Sequence, residues 1–196
     1  MLQLLRLLSS PDLSLEDEAS IRATLHALTP DEEAELRATV RALPLERVNP
    51  LRDVYEALAT VPKRFGDFLA EELHRLFTAA LHSRVPERVL APVEAFSSLM
   101  SDFDGPLQRR LREALLPFLD APVETIRYRA TWLIGDFTFG GNRDVIRKLH
   151  EMMQRDESWR VRHAAYVAMR QSDSLPPGTV LPLLDRIRVR FLDSAV

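Results

Sequence analysis

Apolar residues recur at intervals of three and four along almost the whole chain, and strict alternation is nearly absent, so the pattern predicts helices. Ser14 with Asp17 forms a weak capping box, after which Ile21, Leu25 and Leu28 keep helical spacing. Thr29-Pro30-Asp31-Glu32 is a stronger start: Thr as N-cap, Pro at the first helical position, and Glu returning to the cap. That helix should end before Pro44. Asn49-Pro50 opens another that ends before Pro62, and further helices fit Phe65 to His82, Pro86 to Met100 and Pro106 to Leu119. Pro92 should kink or split the Pro86 helix. The one alternating stretch, Ile187 to Phe191, also fits a helix, because Val180, Leu184, Ile187 and Phe191 share one face after the Gly178-Thr179 loop.

A repeat is visible in the second half. Ile126-Arg127 with Ala130 superimposes on Val161-Arg162 with Ala165, each preceded by an aspartate, Asp120 and Asp156, and a short linker. The linkers differ by one residue. Ile126, Ala130, Leu133 or Ile134, and Phe137 make one apolar stripe; Val161, Ala165, and Ala168 or Met169 make its counterpart. The alanines allow a neighbouring helix close approach. The aspartates can cap the next helix or pair with an arginine of their own or the following repeat. A unit this small cannot bury its stripe alone, so it must stack.

Together with the "LLPFLD" ending at Asp120 and with Leu133-Ile134-Gly135, these cores resemble the HEAT repeat, an antiparallel helix pair stacked into a right-handed α-solenoid. The resemblance is specific over 115–192, with second helices at 143–155 and about 179–192. It is generic over 1–114, where the helical hairpins lack the Asp-to-Arg signature. No Gly/Ser linker or charge run divides the halves, so 1–196 reads as one all-α solenoid domain: degenerate hairpins or a cap over 1–114, two repeats over 115–196.

Composition narrows the functional classes. With 46% apolar and 28% charged residues among 196, the chain can bury a core, and the absence of cysteine excludes disulfides, thiolate nucleophiles and Cys-ligated metal sites. No segment has the uncharged length of a membrane span, and Met1 to Leu8 lacks the layout of a signal peptide. The expectation is a cytoplasmic protein. The net charge of −3 argues against nucleic acid as a general partner. It is unevenly spread: 14 basic and 20 acidic residues over 1–120 give −6, while 12 and 9 over 121–196 give +3. All but Lys63 and Lys148 of the basic residues are arginine.

The motifs for chemistry fail one by one. His150-Glu151 begins a zinc-protease helix motif but Gln154 stands where the second ligand belongs, and Glu71 to His74 has carboxylate-histidine spacing without a second copy. These read as exposed or half-buried helix faces. No phosphate loop, dinucleotide fingerprint or nucleophile elbow occurs, so no enzyme, metal or cofactor is expected. Trp159 with Arg162, and Trp132 with Asp136, are similar to segments of HEAT-like DNA glycosylases for alkylated bases. That resemblance implies a DNA-binding alternative without catalysis. The structural reading has Trp132 packed between repeats and Trp159 stapling a helix entrance.

The function expected is a non-enzymatic scaffold or adaptor that binds another protein through its concave surface. Arg143 with Arg147, and Arg186 with Arg190, each share a helix face, and stacking would align the four into a row suited to an acidic segment. The competing reading is a solvated face paired with Asp144 and Asp185. Glu32, Glu33 and Glu35 form the next candidate surface, in the acidic half. Asp120, Arg127, Ala130, Asp156, Arg162 and Ala165 are expected to hold the repeats together.

Overall fold

The computed structural model describes residues 15–45, 48–98, 105–136, 142–182 and 185, and every regular element among them is helical. The chain divides into two compact units, Met1–Leu115 and Leu116–Val196.

In the first unit the helices are α1 (Leu15–Ala27), α2 (Pro30–Ala42), α3 (Val48–Ala59), α4 (Pro62–Leu81), α5 (Pro86–Leu90), α6 (Glu94–Ser98) and α7 (Gly105–Leu115). The capping box forms as read: Glu32 N donates to Thr29 Oγ1 at 3.3 Å, and Thr29 N donates to Glu32 Oε2 at 2.8 Å. The Thr29 N–H, and then the Thr29 hydroxyl donating at 2.9 Å, hold the Glu32 carboxyl below its usual range. Pro92 splits the Pro86 helix, with a 3-10 turn at Ala91–Val93 joining α5 to α6. The helix read as Pro106 to Leu119 tightens into a 3-10 turn after Leu115, which opens the second unit. Ser14, the first cap, lies outside the described residues.

The central helix is α4, which packs against α3, α5 and α7. Its Phe65, Phe68, Leu69, Leu73, Leu76 and Phe77 are fully buried. Gly66 brings α7 close, since a Cβ there would stand 3.1 Å from Leu107 Cδ1. At the start of α4, Arg64 takes the orphan carbonyls that end α1, donating to Leu25 O at 3.1 Å, His26 O at 2.8 Å and Leu28 O at 2.5 Å. Its Nε reaches Glu33 of α2 at 2.6 Å, so one side chain ties three helices.

Glu33 makes this junction acid-sensitive. Burial pushes its carboxyl up, but hydrogen bonds from Arg64 and Arg37 outweigh that and hold it below its usual range. A carboxylate with a lowered folded-state pKa stabilises fully above its unfolded value, about 4.5, and loses that contribution as pH falls through the folded value. Glu33→Gln should therefore lower the melting temperature at neutral pH and flatten its decline below about pH 4.5. Parallel acid melts of variant and parent would contradict this account.

The second unit has α8 (Glu124–Asp136), α9 (Arg143–Arg155) and α10 (Trp159–Gln171) after the 3-10 turn Leu116–Asp120. Both α8 and α9 pack chiefly against α10. Ile126, Ala130, Leu133 and Ile134 of α8 are buried, as are Val161, Ala165, Ala168 and Met169 of α10. Ala130 and Ala165 are each 0% exposed. Phe137, expected on the first stripe, and the Gly140-Gly141 turn lie outside the described residues.

α8 approaches α10 closely at Gly135, where a Cβ would fall 2.7 Å from Ala168 Cβ and 3.0 Å from Ala168 Cα. The second contact is backbone and cannot rotate away. Helix propensity alone would make Gly135→Ala stabilising by about 1 kcal/mol, whereas overpacking costs about 1–3 kcal/mol. The variant should lower the chemical-denaturation midpoint of the second unit; a raised midpoint would refute the crossing.

Beyond α10 the chain departs from the reading in one respect. Residues 179–182 are not helical and Val180 is 68% exposed, so Val180 does not begin a buried stripe; Leu181 is buried instead. The reason is local. α10 closes with Ser174 N donating to Met169 O at 2.9 Å and Asp173 in the left-handed region, φ 52°, after which Gly178 turns the chain at φ 79°. Leu184, Ile187 and Phe191 lie outside the described residues.

Candidate functional site

Arg127, near the start of α8, turns its whole guanidinium inward. Nε and Nη2 donate to Asp156 Oδ2 and Oδ1 at 2.8 and 3.1 Å, and Nη2 also reaches Glu157 Oε1 at 3.2 Å. Nη1 donates to the carbonyls of Ala121 and Pro122 at 2.9 and 3.2 Å. Arg162 repeats the arrangement in α10. Its Nε and Nη2 hold Asp185 Oδ2 and Oδ1 at 2.6 and 2.8 Å, and Nη1 holds the carbonyls of Asp156 and Glu157 at 2.6 and 3.1 Å. Each arginine thus clasps a carboxylate later in the chain and the carbonyls six and five residues before itself.

These are desolvated pairs: side-chain exposure is 10% for Arg127 and 7% for Asp156, 16% for Arg162 and 1% for Asp185. The hydrogen bonds to Asp156 and Asp185, against the opposing effect of burial, hold both guanidinium groups above their usual range. Asp156 also closes the turn between α9 and α10. Its N–H donates to Met152 O at 3.0 Å and its Oδ1 accepts from Ser158 N at 2.9 Å. One residue therefore ends α9 through its N–H, and through its carboxylate starts α10 and anchors α8.

Asp120 occupies a different position. It is 74% exposed and pairs with Lys148 of α9. Counting back from each arginine explains why: Ala121 stands before Arg127 where Asp156 stands before Arg162, so the longer linker moves Asp120 out of register. An open groove of about 440 Å³ lies beside this clasp, lined by Leu119, Pro122 and Met152 with Lys148, Glu151 and Arg155. Arg127 borders it, but a guanidinium has five N–H donors and all five are engaged. Arg127 therefore has no donor to spare for a ligand in the groove.

Of the four arginines read as a partner-binding row, Arg143 is exposed and Arg147 pairs with Asp144 at 3.0 Å, its side chain 81% exposed. Arg186 and Arg190 lie outside the described residues. Asp185, considered as a partner for that row, is spent on Arg162. In the acidic half, Glu32 and Glu33 are likewise engaged in the cap and the Arg64 junction, while Glu35 is exposed.

The histidine motifs do not assemble a metal or acid–base site. His150 pairs with Gln154 at 3.2 Å, and His74 is exposed with Thr78 Oγ1 at 3.4 Å. Glu71 pairs outward with Arg41 at 2.5 Å. Among the described residues no three His, Asp or Glu side chains are grouped to hold a metal ion, and no helix is long and apolar enough to cross a membrane.

A buried carboxylate escaped the sequence reading. Glu72 is 1% exposed inside the first unit and accepts from Tyr55 Oη at 3.0 Å and from Arg75 Nη2 at 2.6 Å, with Arg41 Nε at 3.5 Å. Burial first, then the Glu72 charge, pushes the Tyr55 phenol far up, so it remains a donor. The signal was present: Glu72 continues the Phe65, Phe68, Leu69, Leu73 and Leu76 stripe, and Arg75 follows at i+3.

Trp132 corrects another expectation. Instead of packing between repeats it is 37% exposed. Two residues beyond Ala130, it lies about 200° around the helix from that buried position. Its ring stands 6.2 Å from the Tyr128 ring, and Arg160 of α10 lies over Tyr128 with Cζ 4.7 Å from the centroid. Trp159 is half-buried at the start of α10, while Asp136 ends α8 half-buried. Set against models of known protein families, curated proteins and solved structures, the chain matches none.

Proposed function

We propose that this chain is a non-enzymatic scaffold or adaptor, a HEAT-like α-solenoid whose rigid helical repeats bind another protein. The observation that carries this reading is the repeated clasp. Arg127 and Arg162 hold their partners in one pattern at matching positions, as expected of stacked repeats, and so commit both guanidinium groups to the fold. The repeat gives α8, α9 and α10 a fixed surface without committing side chains to chemistry. The protein is expected to be cytoplasmic and to work without cofactor or metal.

Affinity purification, followed by reconstitution from purified components, tests the reading. A complex that re-forms from the two proteins after nuclease treatment is the expected result. The competing DNA-binding reading predicts instead that duplex DNA binds and that affinity falls steeply between about 50 and 200 mM salt. Loss of the partner on nuclease treatment, with firm duplex binding in its place, would overturn the scaffold. Release of alkylated bases that Asp136→Asn abolishes would overturn the non-enzymatic assignment.

A further inference from the structure

Among the described residues, the large apolar side chains standing in solvent are Val85, Trp132 and Val180, and Trp132 alone is aromatic. It does not stand alone on its surface. Tyr128, one turn earlier, lies beside it, and Arg160 reaches across from α10 onto the Tyr128 ring, so one patch spans both packed helices. Ser158 Oγ donates to Glu124 Oε1 at 2.7 Å at the patch edge, joining the same two helices there. The aromatic pair is therefore held by two anchored helices rather than by a loop, and costs little further entropy to order.

We infer that this Tyr128–Trp132–Arg160 face docks an acidic segment of a partner protein that carries a large apolar side chain. The inference rests on the scaffold reading and names its surface and the partner's chemistry. Trp, Tyr and Arg are the residue types that dominate the energetics of protein interfaces, because each couples a wide apolar area to a polar tip. The charge of this unit selects the occupant. Residues 121–196 carry a balance of +3, and Arg160 and Arg170 stand exposed on α10, against Glu124 at the start of α8 and Asp136 at its end. Such a surface favours carboxylates, which arginine holds through parallel hydrogen bonds. The Trp132 ring offers an apolar seat next to them.

A nucleic-acid strand fits less well. Arg160 already covers the Tyr128 face on which a base would stack.

The test is selection of a displayed random-peptide library on the full chain, followed by titration of the recovered peptides against parent, Trp132→Ala and Arg160→Glu. Both substitutions are at exposed positions, and far-UV circular dichroism checks that each variant is folded. The expected peptides are rich in Asp and Glu around a large apolar residue, and bind each variant at least about tenfold more weakly than the parent. In a Trp159→Phe background they should alter the fluorescence of Trp132 directly. Peptides that bind both variants as well as the parent would overturn this surface while leaving the scaffold reading standing. So would basic or uncharged peptides, or a library that yields none. Oligo(dT) that binds the parent and loses affinity in Trp132→Ala would overturn this inference and the scaffold reading together.

Discussion

Replacing Glu72 by alanine should destabilise the first unit by about 3–5 kcal/mol, among the largest effects of any single substitution there. The carboxylate is 1% exposed and receives the Tyr55 hydroxyl and the Arg75 guanidinium. Its removal strands the buried Tyr55 hydroxyl, takes the partner from Arg75, whose side chain is 29% exposed, and opens a cavity in the core. A buried hydroxyl without a partner costs about 1–3 kcal/mol by itself, so adding Tyr55→Phe to Glu72→Ala should return part of the loss. The measurement is urea unfolding followed by far-UV circular dichroism. Additive losses in the double variant would mean that Tyr55 and Glu72 do not act as a unit.

The second large effect belongs to Asp156. Asp156→Ala takes the bidentate partner from Arg127, releases the Ser158 amide and loosens the turn that joins α9 to α10. Arg127, 10% exposed, then keeps only the solvent-exposed Glu157 carboxylate and two carbonyls, and the loss of its buried partner should cost about 3–5 kcal/mol. Arg127→Met in the same chain removes the stranded charge, so the double variant should be more stable than Asp156→Ala alone. Both tryptophans, Trp132 and Trp159, belong to the second unit, so their fluorescence reports its unfolding selectively. A double variant less stable than either single one would assign the loss to the turn rather than to the ion pair.

Local chemistry was legible in the sequence and angular placement less so. The Thr29–Glu32 cap, the stops before Pro44 and Pro62, the split at Pro92 and the limits of α9 depend on a few neighbouring residues, and all are found. The clasp was legible in outline. The period identified Arg127, Arg162 and Asp156, but not that each arginine reaches forward, nor that a one-residue difference in linker length sends Asp120 to Lys148. Trp132 misled because size suggests burial, while its position two residues past Ala130 dictates exposure. Glu72 misled in the opposite sense: charge suggests solvent, while its place in an apolar stripe dictates burial. In both cases the helical angle outweighs the residue type.

The claim that the second unit is one clasp used twice is tested most directly at Asp185, the carboxylate that Arg162 holds at 2.6 and 2.8 Å. Tryptophan-monitored unfolding of Asp185→Ala should show a loss in the same range as Asp156→Ala, about 3–5 kcal/mol. A change within about 0.5 kcal/mol, as at an ordinary surface position, would contradict the repeat.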